Sequence, residues 1–337
     1  MTKELILLAH GDGGRLSREI VETIFLKVLG GNRYLEALDD GALLPKRSGR
    51  PVYTTDSYVV KPLFFPGGDI GMLSVFGTCN DLSVMGARPE FLSCAYILEE
   101  GLEVETLRRV AASMAEACER AGVKIVTGDT KVVERGKADG LYINTTGIGY
   151  LRDGIRLSPA RLKSGDRVLV SGPIGDHGIA VLAARERLAL STPVRSDAAS
   201  IWPLVEKLLV LGGSIKFMRD PTRGGLATVL CELAKSSGHS IEIREDAIPV
   251  RDEVRGICEI LGFDPLYVAN EGKLVLVVSK KGAERALGII RGHPLGQEAS
   301  IVGEVKEGPR GLVVLHTRVG GRRLVDMLSG EQLPRIC

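Results

Sequence analysis

Leu16, Ile20, Ile24 and Val28 recur every fourth residue behind the glycine-rich stretch HGDGG, which predicts an amphipathic helix over residues 15–29. From residue 51 the pattern switches to alternation among β-branched and aromatic residues, PVYTTDSYVV, which predicts a strand. PLFFPGGD then turns the chain into a long helical pattern from about Asp69 to Met85, ended by Gly86 and Pro89. FLSCAYILE reads as a strand, residues 103–121 as an amphipathic helix, and KIVTGD and GLYINTTGIGYL as two further strands. A polar stretch containing proline and glycine, residues 151–166, interrupts this alternation and reads as a linker. Beyond it RVLVSGPIGDHG opens as strand, glycine turn and helix, followed by KFMRDPTRGGLATVLCELA, LYVANEGKLVLVVS and IVGEVKEGPRGLVVLHT. Interleaved strands and helices predict an α/β protein of two domains, residues 1–155 and 156–330, with a mobile tail over 331–337.

The length of 337 residues supports that division, because one core rarely keeps growing to such a size. The 44 basic and 42 acidic residues leave a formal charge of +2, which gives no reason to expect nucleic acid or an anionic membrane as partner. The opening apolar run is too brief for a secretion signal and no stretch approaches membrane-spanning length, so a cytoplasmic location is expected. Six cysteines lie scattered without a CxxC pair, which argues against zinc and against a disulfide framework; the first five read as small core residues. Asparagine and glutamine are scarce, a depletion found in proteins from hot environments, so each surviving asparagine invites scrutiny.

Asp81 carries the first chemical signal. On a helix it shares a face with Gly77 and Met85, where even a neutral polar group costs roughly 2–7 kcal/mol to desolvate, so a partner is expected: a salt bridge, a cap or a ligand. Asp39 and Asp40 in LDDGALL, Asp56 in TTDSY and Asp129 in VTGDTK stand at similar breaks. Carboxylates without histidine or thiolate companions suit a hard cation such as magnesium, which commonly escorts nucleotide phosphates. Neither GxxxxGK[ST] nor GxGxxG occurs, but HGDGG, SGPIGDHG and DPTRGG are glycine turns, and the latter two open helical patterns with N–H groups able to hold phosphate. Lys131 and the NEGK stretch with Asn270, Glu271 and Lys273 read either as solvated turns or as ligands. His10 and His177 read as hydrogen-bonded loop histidines and receive no catalytic role. The chain ends on a thiol, Cys337, where Arg335 favours thiolate and the terminal carboxylate opposes it.

Taken in order, LDDGALL, TTDSYVV, GTCNDLSVMGARP, VTGDTKV, SGPIGDHG, RDPTRGGLA, NEGK and the terminal PRIC resemble the HypE family of hydrogenase maturation proteins through nearly the whole chain. Most of these motifs also resemble the wider superfamily of aminoimidazole ribonucleotide synthetase, selenophosphate synthetase and thiamine-monophosphate kinase; the cysteine tail separates HypE from the rest. The resemblance implies an aminoimidazole ribonucleotide synthetase-like fold whose N-terminal domain forms a shared β-barrel in a homodimer. It also implies a carbamoyl dehydratase. A HypF-type carbamoyltransferase places a carbamoyl group on Cys337, ATP phosphorylates the carboxamide oxygen, loss of phosphate leaves a thiocyanate, and the cyano group passes to iron on a HypC–HypD complex.

Carried onto this sequence, the resemblance gives Asp40, Asp56, Asp81 and Asp129 as magnesium ligands and Lys131 as the residue facing phosphate. Gly13, Gly14 and Asn80 join them as nucleotide-binding positions, and Glu271 is the first choice of base, with Asp81 as competitor. A tail of residues 331–337 spans at most about 25 Å when extended, enough to swing from solvent into a site between domains. Two alternatives remain open on the residues alone. A small-molecule kinase of the superfamily would use the same aspartates without needing Cys337, and an ATP-binding scaffold would use its tail only for docking.

Overall fold

A computed structural model describes residues 4–36, 38–185, 192–328, 330 and 335–337. Residues 331–334, the first part of the expected tail, lie outside the described residues.

The chain opens with α1 (Arg15–Ile20), a π-helical turn (Val21–Phe25), α2 (Leu26–Leu29) and α3 (Arg33–Glu36). The helix expected over 15–29 is therefore wound too widely in its middle. At the centre of the wide turn the Thr23 hydroxyl donates to the Glu19 carbonyl, a local bond that competes with the regular ladder. β1 (Arg50–Tyr58) follows, then a short hairpin of β2 (Phe64–Phe65) and β3 (Gly68–Asp69), α4 (Ile70–Val84), β4 (Ala87–Glu99), α5 (Val104–Ala121), β5 (Lys124–Val133) and β6 (Leu141–Leu151).

These strands form a four-stranded sheet in the order β1-β6-β4-β5, antiparallel except for β4 and β5, which α5 connects in parallel. Pro89, expected to precede the next element, lies inside β4, and an irregularity between Pro89 and Phe91 absorbs its missing N–H. Asp69 starts α4 by accepting from the Gly71 and Met72 amides at 2.8 and 3.0 Å. α4 is buried on nearly all sides, behind the sheet.

Its closest approach is at Gly77, where an added Cβ would lie 2.3 Å from the hydroxyl of buried Tyr58. Gly77→Ala is expected to cost about 1–3 kcal/mol of folding stability through overpacking, read as a lower denaturant midpoint at unchanged slope.

Residues 152–166 are anchored, because the Ser158 amide donates to the Lys216 carbonyl at 2.9 Å and Arg161 donates to the carbonyls of Gly213 and Ile215, each at 3.0 Å. The second half contains β7 (Arg167–Val170), α6 (Asp176–Ala183), α7 (Trp202–Leu208), β8 (Ile215–Arg219), α8 (Gly225–Ser237), β9 (Ser240–Arg244) and α9 (Asp252–Leu261). It closes with β10 (Val275–Val278), α10 (Ala283–Arg291), β11 (Ser300–Lys306), β12 (Val313–His316) and β13 (Arg322–Val325). Leu266 and Tyr267, the start of the apolar run LYVA, lie in a 3-10 turn, Pro265–Tyr267, because Pro265 follows the capping Asp264.

The sheet order is β13-β12-β9-β11-β7-β10-β8. Along β7 and β10, Val168, Val170, Val275 and Val277 join the core under α8, while Leu169, Leu276 and Val278 join that of α7 and α10. Burial on both faces explains why these strands read as continuous apolar runs. No helix among the described residues is long and apolar enough to cross a membrane.

Candidate active site between the two halves

Asn80 joins the halves. From the middle of α4 its amide donates to the carbonyls of Ala199 and Glu271 at 3.0 and 2.8 Å, and its oxygen accepts from the Ile201 amide at 2.9 Å. Asn270 ties the adjoining backbone within the second half, accepting from Gly175 at 2.8 Å and donating to Pro221 at 2.9 Å. Asp197, paired with Lys273 at 3.1 Å, accepts from the backbone amides of Glu271 and Gly272. Burial works against the Asp197 charge, yet Lys273, His177 and the Glu271 amide keep its carboxyl below its usual range. An added Cβ on Gly272 would fall 1.9 Å from the Asp197 carbonyl oxygen, so only glycine fits there. NEGK is thus a buried, over-determined backbone that aims Glu271.

Around it lies an acidic cluster. Asp56 of β1 stands 3.9 Å from the Arg223 guanidinium, and Asp81 of α4 accepts from the Thr54 hydroxyl at 2.9 Å. Burial, and next to it the charges of Asp81 and Asp56, push Asp220 up to about 7. Asp81 is raised by burial, with Asp56 adding to it against the Thr54 bond. Glu271, 2 % exposed, is raised well above its ordinary value by burial, then by Asp220, Asp197 and Asp56. Its carboxyl accepts no hydrogen bond among the described residues.

Cys337 lies inside this cluster, 9 % exposed. Burial pushes its thiol up to about 12, with Glu271 the largest charged influence and Arg223 opposing. The Val59 amide donates to its terminal oxygen at 3.2 Å, and Lys61 to the Arg335 carbonyl at 3.3 Å, so the last residues run alongside the end of β1. Arg335 pairs with Asp139 and donates to the Val59 carbonyl. His177 Nε2 lies 3.0 Å from the Ile336 carbonyl oxygen and 3.9 Å from Glu271 Oε1.

A second group of expected residues lies elsewhere. Gly13, Asp129 and Lys131 line a cavity of about 320 Å³ between the N-terminal helices and β5, together with Val21 and Phe25 of the π-helical turn. Lys131 Nζ is 3.5 Å from Asp129 Oδ1, and both side chains are exposed. Asp56 pairs across the sheet with Thr145, Thr145 with Cys94, and Cys94 with Gly128. Three strand steps therefore separate Asp56 from the neighbourhood of Asp129, about 14 Å.

Within one chain, then, Asp56, Asp81, Glu271 and Cys337 converge, whereas Asp129 and Lys131 stand at the opposite sheet edge, and Asp40 is exposed outside both groups. Asp40, Asp56, Asp81 and Asp129 do not gather into one set, and no three acidic, histidine or cysteine side chains among the described residues are grouped as a metal site. Gly14 caps α1, while Asn80 spends its amide on backbone. The SGPIGDHG turn likewise spends its Gly175 and Gly178 amides on Asn270 and the Ala269 carbonyl. Sequence reasoning missed Asp220, Arg223 and Asp197 as site residues; RDPTRGG offered the signal for the first two, since charged residues flank a glycine turn of positive φ.

The two sheets and this cleft define a class. Residues 38–151 match the family model of the AIR synthase related protein N-terminal domain, and 163–316 that of its C-terminal domain. A solved thiamine monophosphate kinase from Aquifex aeolicus, 21% identical with a TM-score of 0.59 over 82% of this chain and 91% of that one, shares the fold alone. Within that class the chain belongs to the HypE family of carbamoyl dehydratases. It is 50% identical to carbamoyl dehydratase HypE of Bradyrhizobium diazoefficiens over 98% of this chain and 95% of that protein. Against the Escherichia coli protein it is 46% identical over 98% and 99%. A HypE solved with ATP superposes with a TM-score of 0.94 at 49% identity, covering 98% of this chain and 99% of that one. A HypE from a HypE–HypF complex gives 0.80 at 51% identity, covering 92% and 99%.

Proposed function

We propose that this chain dehydrates a carbamoyl group carried on its own Cys337, using ATP, so that the thiocarboxamide plus ATP becomes a thiocyanate plus ADP and phosphate. A carboxamide oxygen leaves poorly; phosphorylated, it departs as phosphate, and the nitrogen gives up two protons as the C≡N bond forms. The observation that carries the reading is the burial of Cys337 within the acidic cleft, with Glu271 as its first charged neighbour.

Glu271 takes a proton from the nitrogen. Its competitor Asp81 already accepts from Thr54, whereas the Glu271 carboxyl is unengaged by described partners. Beside burial, the charge of Asp56 raises the proton affinity of both Asp81 and Asp220, and these three carboxylates would hold magnesium by closing around it, since they do not form a ready-made metal site. Bound there, magnesium would neutralise phosphate charge. The cavity with Gly13, Asp129 and Lys131 would take the nucleotide.

Because that cavity and the acidic cleft are separated within one chain, the complete site would combine two copies in a homodimer, through pairing of the four-stranded sheets into a barrel. A HypF-type carbamoyltransferase would load Cys337, and a HypC–HypD complex would accept the cyano group for hydrogenase iron. The docked thiol, held neutral, is a poor nucleophile, so loading requires the tail to leave the cleft. The six free, buried cysteines suit a reducing cytoplasm.

The test weighs the C-terminal peptide after carbamoyl phosphate, ATP and the carbamoylating partner have been supplied. Loss of one water's mass, dependent on ATP, is expected. A carbamoyl adduct that persists with ATP consumed elsewhere would defeat the reading.

A further inference from the structure

His177 is the second residue of α6, completely buried, and none of the chemistry above uses it. Its two ring nitrogens face different partners. Nδ1 lies 2.8 Å from the Ser196 hydroxyl, and that oxygen already accepts from the Ala198 amide at 3.1 Å. The hydroxyl keeps its own proton to give to Nδ1, and because Nε2 faces the Ile336 carbonyl oxygen, which can only accept, the neutral ring's proton sits on Nε2 and Nδ1 is the acceptor. Burial lowers the proton affinity of the ring, in keeping with one proton only. Phe65 fixes the ring plane by an edge contact at 5.5 Å between centroids.

The Nε2–H then donates to the Ile336 carbonyl at 3.0 Å, while the same nitrogen stands 3.9 Å from Glu271 Oε1. One donor thus touches the peptide unit that leads into Cys337 and lies just beyond hydrogen-bond reach of the base. The other anchors hold the two ends of the last three residues, Arg335 on Asp139 and the Val59 carbonyl and the Cys337 terminal oxygen under the Val59 amide at 3.2 Å, so the Ile336 carbonyl between them is held by His177.

We propose that His177 is a positioning residue for the dehydration: its Nε2–H fixes the Ile336 carbonyl and so sets the cargo on Cys337 against Glu271. The proposal rests on the dehydratase reading for its purpose, but its first measurement needs neither ATP nor a carbamoyl group. In the full-length chain, alkylation of Cys337 by iodoacetamide is followed by mass of the terminal peptide. His177→Phe, which keeps a ring but removes the donor, is expected to raise that rate about tenfold, the effect of one buried hydrogen bond. His177→Gln, whose amide can reach the same carbonyl, is expected to stay near the unaltered chain.

With the carbamoylated chain, His177→Phe is expected to slow single-turnover dehydration about tenfold without changing the ATP concentration for half-saturation, and His177→Gln to restore most of the rate. A changed alkylation rate with no dehydration in any chain would remove the function while keeping the latch. Alkylation of His177→Phe at the rate of the unaltered chain overturns the proposal. Should His177→Phe fail to melt cooperatively, Ser196→Ala, which releases the tautomer, is measured in the same way. A rise of about threefold supports the role, and no change overturns it.

Discussion

Cys337→Ala is expected to abolish the cyanated tail completely while leaving ATP binding and folding intact. The separation can be so clean because the tail is held by groups that alanine retains. The Val59 amide donates to the terminal oxygen, Lys61 to the Arg335 carbonyl and His177 to that of Ile336, while Arg335 pairs with Asp139. Only the sulfur is lost, and with it the atom that carries the cargo. Mass spectrometry of the terminal peptide checks the absence of product, and nucleotide titration checks binding. A small-molecule kinase would keep its phosphoryl transfer in this variant, so retention of ATP turnover at the unaltered rate would favour that rival.

Much of this molecule was legible in its sequence because its elements are governed by local patterns. α4 begins and ends within one residue of the pattern from Asp69 to Met85, since Asp69 is a true cap and Gly86, at φ of 79°, breaks the helix. α5 and β6 follow their periodicities equally closely. The surviving asparagines also marked important positions: Asn80 ties Glu271 to the first half, Asn270 ties the residue before it to the Gly175 turn, and Asn144 donates to the Asp56 carbonyl at 2.9 Å.

What sequence could not supply was distance. Asp56 and Asp129 read as equivalent acidic breaks, yet register places three strand steps between them. His177 read as a loop residue because nothing in SGPIGDHG reveals that the far end of the chain returns to it, a contact across 159 positions. Asp220 escaped for the same reason, since its burial and its neighbours Asp81 and Asp56 come from the other half.

Glu271→Gln is expected to lower the single-turnover dehydration rate by about 10²–10⁴-fold, the range for removing a general base, with little change in folding. The substitution is nearly isosteric, and burial with the neighbouring carboxylates already works against the native charge, so glutamine spares the fold a buried charge. The sign of the pH dependence follows from the same burial. Because the folded carboxyl holds its proton above the ordinary range, the free base is scarce in acid and accumulates as pH rises, and the rate of the unaltered chain should climb with it. Glu271→Gln should lose that rising limb, so the residual rate is flat where the unaltered chain is steep. Asp81→Asn separates the two candidates. It removes the charge that strengthens the Thr54 bond and relieves repulsion on Asp220, which predicts weaker handling of phosphate with the rising limb retained. A limb that vanishes in Asp81→Asn and survives in Glu271→Gln would transfer the role of base to Asp81.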